Sequence, residues 1–89
     1  MSYNLEISDY LDRLFFKLAK KDKHHFEILK KKINQILEDP FRFKPLRSSM
    51  FGIRRTHIGK SFVLTFQIIE NKKTIRLLDY DHHDKIYSK

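Results

Sequence analysis

Two short stretches of the chain combine side chains that bind phosphate and transfer protons. In the first, Arg55 and His57 lie two residues apart in a segment with strand character, so both side chains are expected on one face and Arg54 on the other. A guanidinium binds phosphate through two parallel hydrogen bonds, and an imidazole exchanges a proton near neutral pH. The same residues would also suit a solvated edge strand, and the spacing alone does not choose between the two interpretations.

The second stretch is near the C-terminal end, where His83 and Tyr87 are four residues apart. Residues with this spacing are neighbours on one turn of helix. An imidazole and a phenol can act together as an acid and a positioning group, or stack on an unpaired base. The alternative is a surface histidine beside a packed aromatic ring. His82 points elsewhere in this reading and is a weaker candidate.

The paired histidines do not predict a metal site. His24-His25 and His82-His83 are adjacent in sequence, and neighbouring side chains are expected to diverge on a helix or a strand. The chain has no cysteine and no HExxH, EF-hand or CxxC pattern. It also lacks a glycine-rich phosphate loop. We therefore expect no metal and no other cofactor.

The positive charge is concentrated in the second half of the chain. The net charge is +8, and residues 1–40 hold eight Lys or Arg against seven Asp or Glu, whereas residues 41–89 hold eleven against four. A basic excess confined to one half favours an anionic partner, most often a nucleic acid, although solubility alone is the simpler explanation.

Several of these cations precede or enter the predicted strands. Arg42 and its neighbours could line a groove for a nucleic-acid backbone, where each cation adds salt-dependent affinity. The lysines at 30–32 are interpreted as a solvated helix face. The candidate backbone-binding cations are Lys44, Arg47, Arg54 and Lys60.

The order of patterns predicts an α+β domain in which an N-terminal strand and a helix hairpin pack on a small antiparallel sheet. Residues 3–7 alternate between apolar and polar side chains, as is typical of a strand. Two apolar stripes at helical spacing follow, capped by Ser8 or Asp9 and by Asp22, and the second helix ends at Pro40. Residues 41–49 are predicted as a loop.

Three strands are predicted next, at about 50–58, 61–70 and 73–80, with tight turns at Gly59-Lys60 and Asn71-Lys72. In the middle strand one face carries Phe62, Leu64, Phe66 and Ile68 and is expected to form the core under the helices. The opposite face should stay partly open. Residues 84–87 form either a short helix or an irregular tail.

Size and composition limit the classes of protein to which the chain can belong. A chain of 89 residues with 40% apolar residues predicts one domain over residues 1–89. No apolar stretch approaches the roughly 20 residues needed to span a bilayer, and the first residues lack a signal-peptide pattern. We therefore expect a cytoplasmic protein with no membrane partner.

The ordered set of motifs resembles the RelE/ParE superfamily of bacterial and archaeal toxins over nearly the whole chain. The resemblance is carried by Leu46, by the segments Phe51–Lys60 and Val63–Phe66, and by Leu77–Tyr87. RelE-type members are ribosome-dependent mRNA endoribonucleases that a cognate antitoxin neutralises. The resemblance therefore implies a metal-independent endoribonuclease whose partners are an antitoxin and mRNA on the ribosome.

The resemblance also implies roles for four residues. Arg55 falls at the position of the family's phosphate-binding arginine, and Tyr87 matches its C-terminal aromatic residue. His57 and His83 stand where the YafQ-like branch carries histidines, and they would share the base and acid roles in an order that the sequence does not assign.

Three positions depart from the family pattern. Phe62 and Asp81 stand where many RelE-type members carry arginine, and Ser61 stands where the YafQ-like branch has an acidic residue. Two other functions therefore remain open. One is a ParE-like toxin that acts on DNA gyrase without cutting RNA, and the other is an inactive relative that only binds its antitoxin.

Overall fold

A computed structural model of the chain describes residues 3–46 and 52–88. Arg47, one of the predicted backbone-binding cations, lies outside the described residues. The elements are, in chain order, β1 (Asn4–Glu6), α1 (Asp9–Lys21), α2 (Lys23–Glu38), β2 (Lys44–Pro45), β3 (Ile53–Ile58), β4 (Phe62–Ile69), β5 (Thr74–His82) and α3 (His83–Tyr87).

The two long helices form a hairpin because a polar cap begins each of them. The hydroxyl of Ser8 accepts a hydrogen bond from the backbone N–H of Leu11 at 3.2 Å, and the carboxylate of Asp22 accepts one from the N–H of His25 at 3.1 Å. The backbone N–H of Asp22 also donates to the carbonyl of Leu18. One residue therefore ends α1 and begins α2, so the chain turns back without a loop.

The strands form one mixed sheet in the order β1-β5-β4-β3-β2. The meander of β3, β4 and β5 is antiparallel, as predicted, and β2 adds two antiparallel residues beside β3. At the other edge β1 runs parallel to β5. The α+β class and the hairpin on a sheet are confirmed, but the sheet is mixed, not antiparallel throughout, and β2 lies inside the segment predicted as loop.

Both chain reversals occur at the predicted places, but each is longer than predicted, with residues 59–61 between β3 and β4 and residues 70–73 between β4 and β5. Gly59 adopts a left-handed φ of 65° in the turn at Gly59-Lys60, a conformation that glycine takes without steric cost. The two-residue turn predicted at Asn71-Lys72 is wrong. A single 3-10 turn spans Glu70–Lys72, and Lys73 completes the reversal with a φ of 48°.

A β-bulge in β5 decides which of its side chains face the helices. Thr65 opposes Asp79, whereas the next residue of β4 opposes Leu77, so Leu78 is an extra, unpaired residue. Leu77 is 3% exposed and Tyr80 is 7% exposed, and both belong to the core under the helices. Without the extra residue, strict alternation from Leu77 would place Asp79 in that core.

The core lies between the helix hairpin and one face of the sheet. On β4 this face is the one predicted, since Leu64 and Phe66 are fully buried while Phe62 and Ile68 pack at its margin. Burial of each large apolar side chain contributes about 1.5–3 kcal/mol. The ten core residues are Leu11, Phe15, Leu29, Ile36, Ile58, Leu64, Phe66, Ile75, Leu77 and Tyr80.

The short helix α3 covers part of the opposite face. It contacts β4 and β5, and its Ile86 is 3% exposed. Val63, on the β4 face away from the hairpin, is fully buried. The C-terminal segment is thus a helix and not an irregular tail, and it belongs to the folded body. None of the helices in the described part of the chain is long and apolar enough to cross a membrane.

Candidate active site

A cationic cleft of about 540 Å³ lies where the second half of α2, the segment leading into β2 and strand β3 meet. Four cations and one histidine line it, and no carboxylate is among the described lining residues. Such a concentration of one sign of charge attracts an anion. The lining residues are Lys32, Arg42, Phe43, Lys44, Arg55, Thr56 and His57.

Arg55 is the cation best placed to hold a phosphate. It pairs in register with Lys44 on β2, so the two side chains project from the same face of the sheet. Like charges opposite each other are destabilising unless an anion lies between them. The Nε atom of Arg55 is buried and has no hydrogen-bond partner among residues 3–46 and 52–88. The Nε atom of Arg54 is buried without such a partner as well, so it is the position of Arg55 in the cleft that marks it as a candidate phosphate ligand.

Tyr87 approaches Arg55 from the C-terminal helix. The centre of its ring lies 5.8 Å from the Cζ atom of Arg55, within the range of a cation–π interaction. Tyr87 is 39% exposed, so part of it is in contact with solvent. The structure therefore brings together two predicted site residues that are distant in sequence.

His57 shares the cleft with Arg55, as their two-residue spacing predicts. It is exposed, and it lies beyond the two residues of β3 that pair with β2. An imidazole in this position can exchange protons with a bound anion or with water.

Arg54 points to the other face of β3 and has contacts within the protein. Its Nη1 atom donates a hydrogen bond to the carbonyl oxygen of Phe43 at 2.6 Å, and its Cζ atom lies 5.3 Å from the centre of the Phe41 ring. Arg54 thus fastens the segment before β2 to the sheet, and this geometry does not support the backbone-binding role predicted for it. Lys60 is exposed in the β3–β4 turn and does not line the cleft.

His83 begins α3 and lies outside the cationic cleft. Its backbone N–H donates to the carbonyl of Ser61 at 2.7 Å, and its Nδ1 atom is 3.0 Å from a carboxylate oxygen of Asp84. His83 and Tyr87 are the first and last residues of the same helix. One helical turn, a rise of about 5.4 Å, therefore separates His83 from the ring that contacts Arg55.

The expectation that adjacent histidine side chains diverge is wrong for one pair. The rings of His82 and His83 stack with centroids 4.8 Å apart and an interplanar angle of 29°. His82 ends a strand and His83 begins a helix, so the change of backbone direction between them brings their side chains to the same side.

Lys32 is a cleft residue that sequence reasoning missed, since the lysines at 30–32 were interpreted as a solvated face. The structure places it, half-buried, in the cleft. It stands three residues after Leu29 and four before Ile36, both fully buried, so it borders the buried stripe of α2. That spacing is the signal that could have identified it.

Asp81 lies on the same face of the sheet as His57. Each opposes Val63 on β4, so about two strand spacings, roughly 10 Å, separate them. One carboxylate oxygen of Asp81 accepts a hydrogen bond from the backbone N–H of His82 at 2.7 Å. Asp81, which departs from the family pattern, thus places a negative charge near the edge of the candidate site.

Tyr80 anchors the helix hairpin on the other face. Its hydroxyl is hydrogen-bonded to Nε2 of His25, and its ring stacks on Phe62. Burial, with a smaller contribution from the carboxylate of Asp22, raises the pKa of Tyr80 to about 12, so the phenol stays neutral at physiological pH. This pair holds α2 against the end of the sheet and takes no part in the cleft.

A helix hairpin packed on a five-stranded mixed sheet is the fold of the small RelE-like toxins. A variant of Escherichia coli RelE in the free state superposes with a TM-score of 0.76 at 24% identity, covering 99% of this chain and 93% of that one. The E. coli DinJ–YafQ toxin–antitoxin complex gives a TM-score of 0.72 at 19% identity, covering 98% and 99% of the two chains. These identities show the fold alone.

Sequence relatives show the family. The chain is 44% identical over 87 residues to a Methanocaldococcus jannaschii protein named "Putative toxin RelE4", a match that covers 98% of this chain and 93% of the relative. An uncharacterized protein of Methanosarcina mazei is 51% identical over 85 residues, covering 96% and 99% of the two chains. No family model matches. The chain belongs to the RelE toxin family.

Proposed function

We propose that residues 1–89 act as one toxin domain that cleaves mRNA on the ribosome without a metal ion and is neutralised by a cognate antitoxin. One observation carries the proposal. The guanidinium of Arg55 lies half-buried among the other cations of the cleft and contacts the ring of Tyr87. A phosphate is the ligand that best matches this arrangement.

The proposed reaction is an internal transfer at phosphorus. The ribose 2′-hydroxyl attacks the adjacent phosphate, a new P–O2′ bond forms and the P–O5′ bond breaks. The products are a 2′,3′-cyclic phosphate and a 5′-hydroxyl. A base must accept the proton of the 2′-hydroxyl, an acid must protonate the leaving O5′, and cations must stabilise the charge on the phosphorane oxygens.

The side chains divide these tasks according to their positions. Arg55 would hold the phosphorane oxygens, with Lys44 beside it on the neighbouring strand. His57, in the same cleft, and His83, one helical turn from Tyr87, would act as base and acid, in an order that stays open. Tyr87 would orient or stack a base. Since the 2′-hydroxyl is the nucleophile, the activity would be specific for RNA.

The proposed antitoxin would cover both basic and apolar surface. The positive charge of residues 41–89 favours an acidic segment in the partner, while Tyr10 and Phe16, 66% and 63% exposed on α1, offer apolar contact. The similarity to the toxin of the DinJ–YafQ complex supports a partner of this kind.

The test is cleavage of a defined mRNA by purified protein with and without ribosomes. Arg55→Ala and His83→Ala should each reduce ribosome-dependent cleavage by about 100-fold or more, the scale on which acid–base and charge-stabilising groups contribute. Lys31→Ala, on the exposed side of α2, is the matched control and should change little. Circular dichroism and antitoxin binding verify that each variant is folded. Cleavage that survives both site substitutions would refute this site.

The same experiment in cells separates the two alternative functions. Induction should arrest growth, leave DNA supercoiling intact and produce cuts within codons of translated mRNA. Arrest with altered supercoiling and intact mRNA would support a gyrase-directed toxin. Antitoxin binding with neither arrest nor cleavage would identify an inactive relative.

A further inference from the structure

Three metal-ligating side chains converge at the junction of β5 and α3, outside the cationic cleft. A nitrogen of His82, a nitrogen of His83 and a carboxylate oxygen of Asp84 lie within 4.8 Å of one another. The Nδ1 atom of His83 is 3.0 Å from one oxygen of Asp84, and Nδ1 of His82 is 3.6 Å from the other. Two imidazoles thus face one carboxylate from the same side.

This convergence is built by the backbone. His82 is the last residue of β5, and its Nδ1 accepts a hydrogen bond from the backbone N–H of Asp84 at 3.3 Å. His83 is tied by its own N–H to the carbonyl of Ser61. The backbone of the dipeptide is therefore held at both residues, and the two rings stack on each other.

We propose that His82, His83 and Asp84 bind one divalent transition-metal ion, with Zn²⁺ as the reference ion and water completing the coordination. Two imidazoles and a carboxylate are a typical zinc ligand set that leaves a position open. Mg²⁺, which prefers oxygen ligands, should not compete.

The geometry requires the imidazole rings to rotate as well as approach, because rings stacked at 29° do not direct their nitrogen lone pairs at one point. Zinc–ligand bonds of about 2.0–2.2 Å place ligand atoms about 3.3–3.5 Å apart in a tetrahedral site, so the present spread must close by roughly 1.5 Å. The side chains of the three residues are 41%, 44% and 75% exposed, which leaves them room to rotate. The same exposure means that little desolvation opposes binding.

Metal binding would regulate cleavage. A metal ion on His83 occupies the lone pair that this imidazole needs for proton transfer, so the toxin would be inhibited while the ion is bound. This consequence rests on the proposed function, whereas the binding of the ion does not.

The binding test is calorimetric titration of ZnCl₂ into the untagged protein, with MgCl₂ as the comparison. The wild type should bind one zinc ion. His82→Asn keeps a side chain that can cap α3 but removes an imidazole. This variant should bind zinc at least about 10-fold more weakly, since substitutions of residues that only support the metal ligands already weaken binding on that scale. Asp84→Asn provides a second, independent variant. His24→Asn, an exposed histidine of α2, is the matched control and should bind as the wild type does.

The inhibition test repeats the mRNA cleavage assay at rising Zn²⁺. Wild-type cleavage should fall and recover on addition of a chelator, whereas His82→Asn should cleave normally and resist the ion. Zinc damage to the ribosome would inhibit both proteins equally and would overturn the regulatory step. Equal zinc affinity in the wild type and both ligand variants, or no binding at all, would overturn the site. A wild type that binds zinc but cuts no mRNA would leave the site standing and would reject the proposed nuclease.

Discussion

At the scale of single residues, the cations of the cleft would bind the same anion together. Without that anion they repel one another. Lys32 tests this, because it lines the cleft while its neighbour Lys31 is exposed. Lys32→Ala should lower affinity for single-stranded RNA by about 3- to 10-fold and reduce the slope of log affinity against log salt by about 0.7, the value for one lost phosphate contact. Fluorescence anisotropy at several salt concentrations measures both. Lys31→Ala should show neither change, and equal effects of the two substitutions would mean that the cleft is not the RNA site.

A second prediction at this scale concerns the negative charge of Asp81, near the edge of the candidate site. Asp81 lies about two strand spacings from His57, where Coulomb repulsion of a phosphate is weak but measurable at low salt. Asp81→Asn should therefore raise RNA affinity by about 2- to 4-fold. Asp12→Asn, which removes an exposed carboxylate from α1, should have no comparable effect. A drop in affinity or in cleavage for Asp81→Asn would instead show that this carboxylate has a positive role in the site.

At the scale of elements, the short helix α3 carries two of the four proposed catalytic residues. It has only five residues, so it depends on packing and not on its own propensity. Its buried anchor is Ile86, at 3% exposure. Ile86→Ala should lower the free energy of unfolding by about 2–5 kcal/mol or release α3 locally, and in either case displace His83 and Tyr87 and abolish cleavage.

Leu29→Ala is the matched control for this prediction. Leu29 is fully buried in the core under the helices, so its truncation should destabilise the protein by a similar amount. At a temperature where both variants remain folded by circular dichroism, Leu29→Ala should still cleave mRNA. If both variants lose cleavage alike, stability and not the position of α3 is responsible.

At the scale of the whole molecule, an exposed polar cluster joins the N-terminal end to the β4–β5 connection. Glu70 pairs with Lys73 and accepts hydrogen bonds from the hydroxyl of Tyr3 at 3.0 and 3.1 Å. The hydrogen bond from Lys73, and then that from Tyr3, lowers the pKa of Glu70 below its usual 4.5. A lowered folded-state pKa stabilises the protein above the unfolded value, and this stabilisation is lost as pH falls.

The stability of Glu70→Gln should therefore fall less steeply than that of the wild type below about pH 4.5. At neutral pH the variant should be slightly less stable than the wild type. The effect is small because the pair is exposed. Thermal unfolding followed across that pH range measures it. Glu27→Gln, which breaks an exposed pair on α2, is the comparison, and an identical pH profile for the two variants would show that the cluster contributes nothing of its own.

The uneven charge of the chain gives a prediction for the proposed antitoxin. If an acidic segment is steered to the basic half, the association rate should fall steeply between low and physiological salt, while the dissociation rate should change little because apolar contacts hold the complex. Surface-based kinetic measurements at several salt concentrations separate the two rates. An association rate that is independent of salt would argue against an acidic partner.

The local features of this protein were determined by its sequence. The caps Ser8 and Asp22, the apolar helix stripes and the alternation along β4 act over a few residues, so their patterns predicted the hairpin and the core face. The shared face of Arg55 and His57 follows in the same way from the two-residue period of a strand. Resemblance then assigned functional roles to residues whose spacing alone left their function open.

Features that depend on distant segments were decided by the tertiary structure. The parallel pairing of β1, the bulge at Leu78 and the contact of Tyr87 with Arg55 join segments far apart in the chain, and no local pattern encodes their relative positions. Lys32 was misread because its role depends on what packs across α2. The prediction that the side chains of His82 and His83 diverge was wrong because it assumes that both residues lie in one regular element. His82 ends a strand and His83 begins a helix. Interactions between residues near in sequence determine the helices, the strands and their buried faces. Residues on separate elements come close together only when those elements pack on a common core.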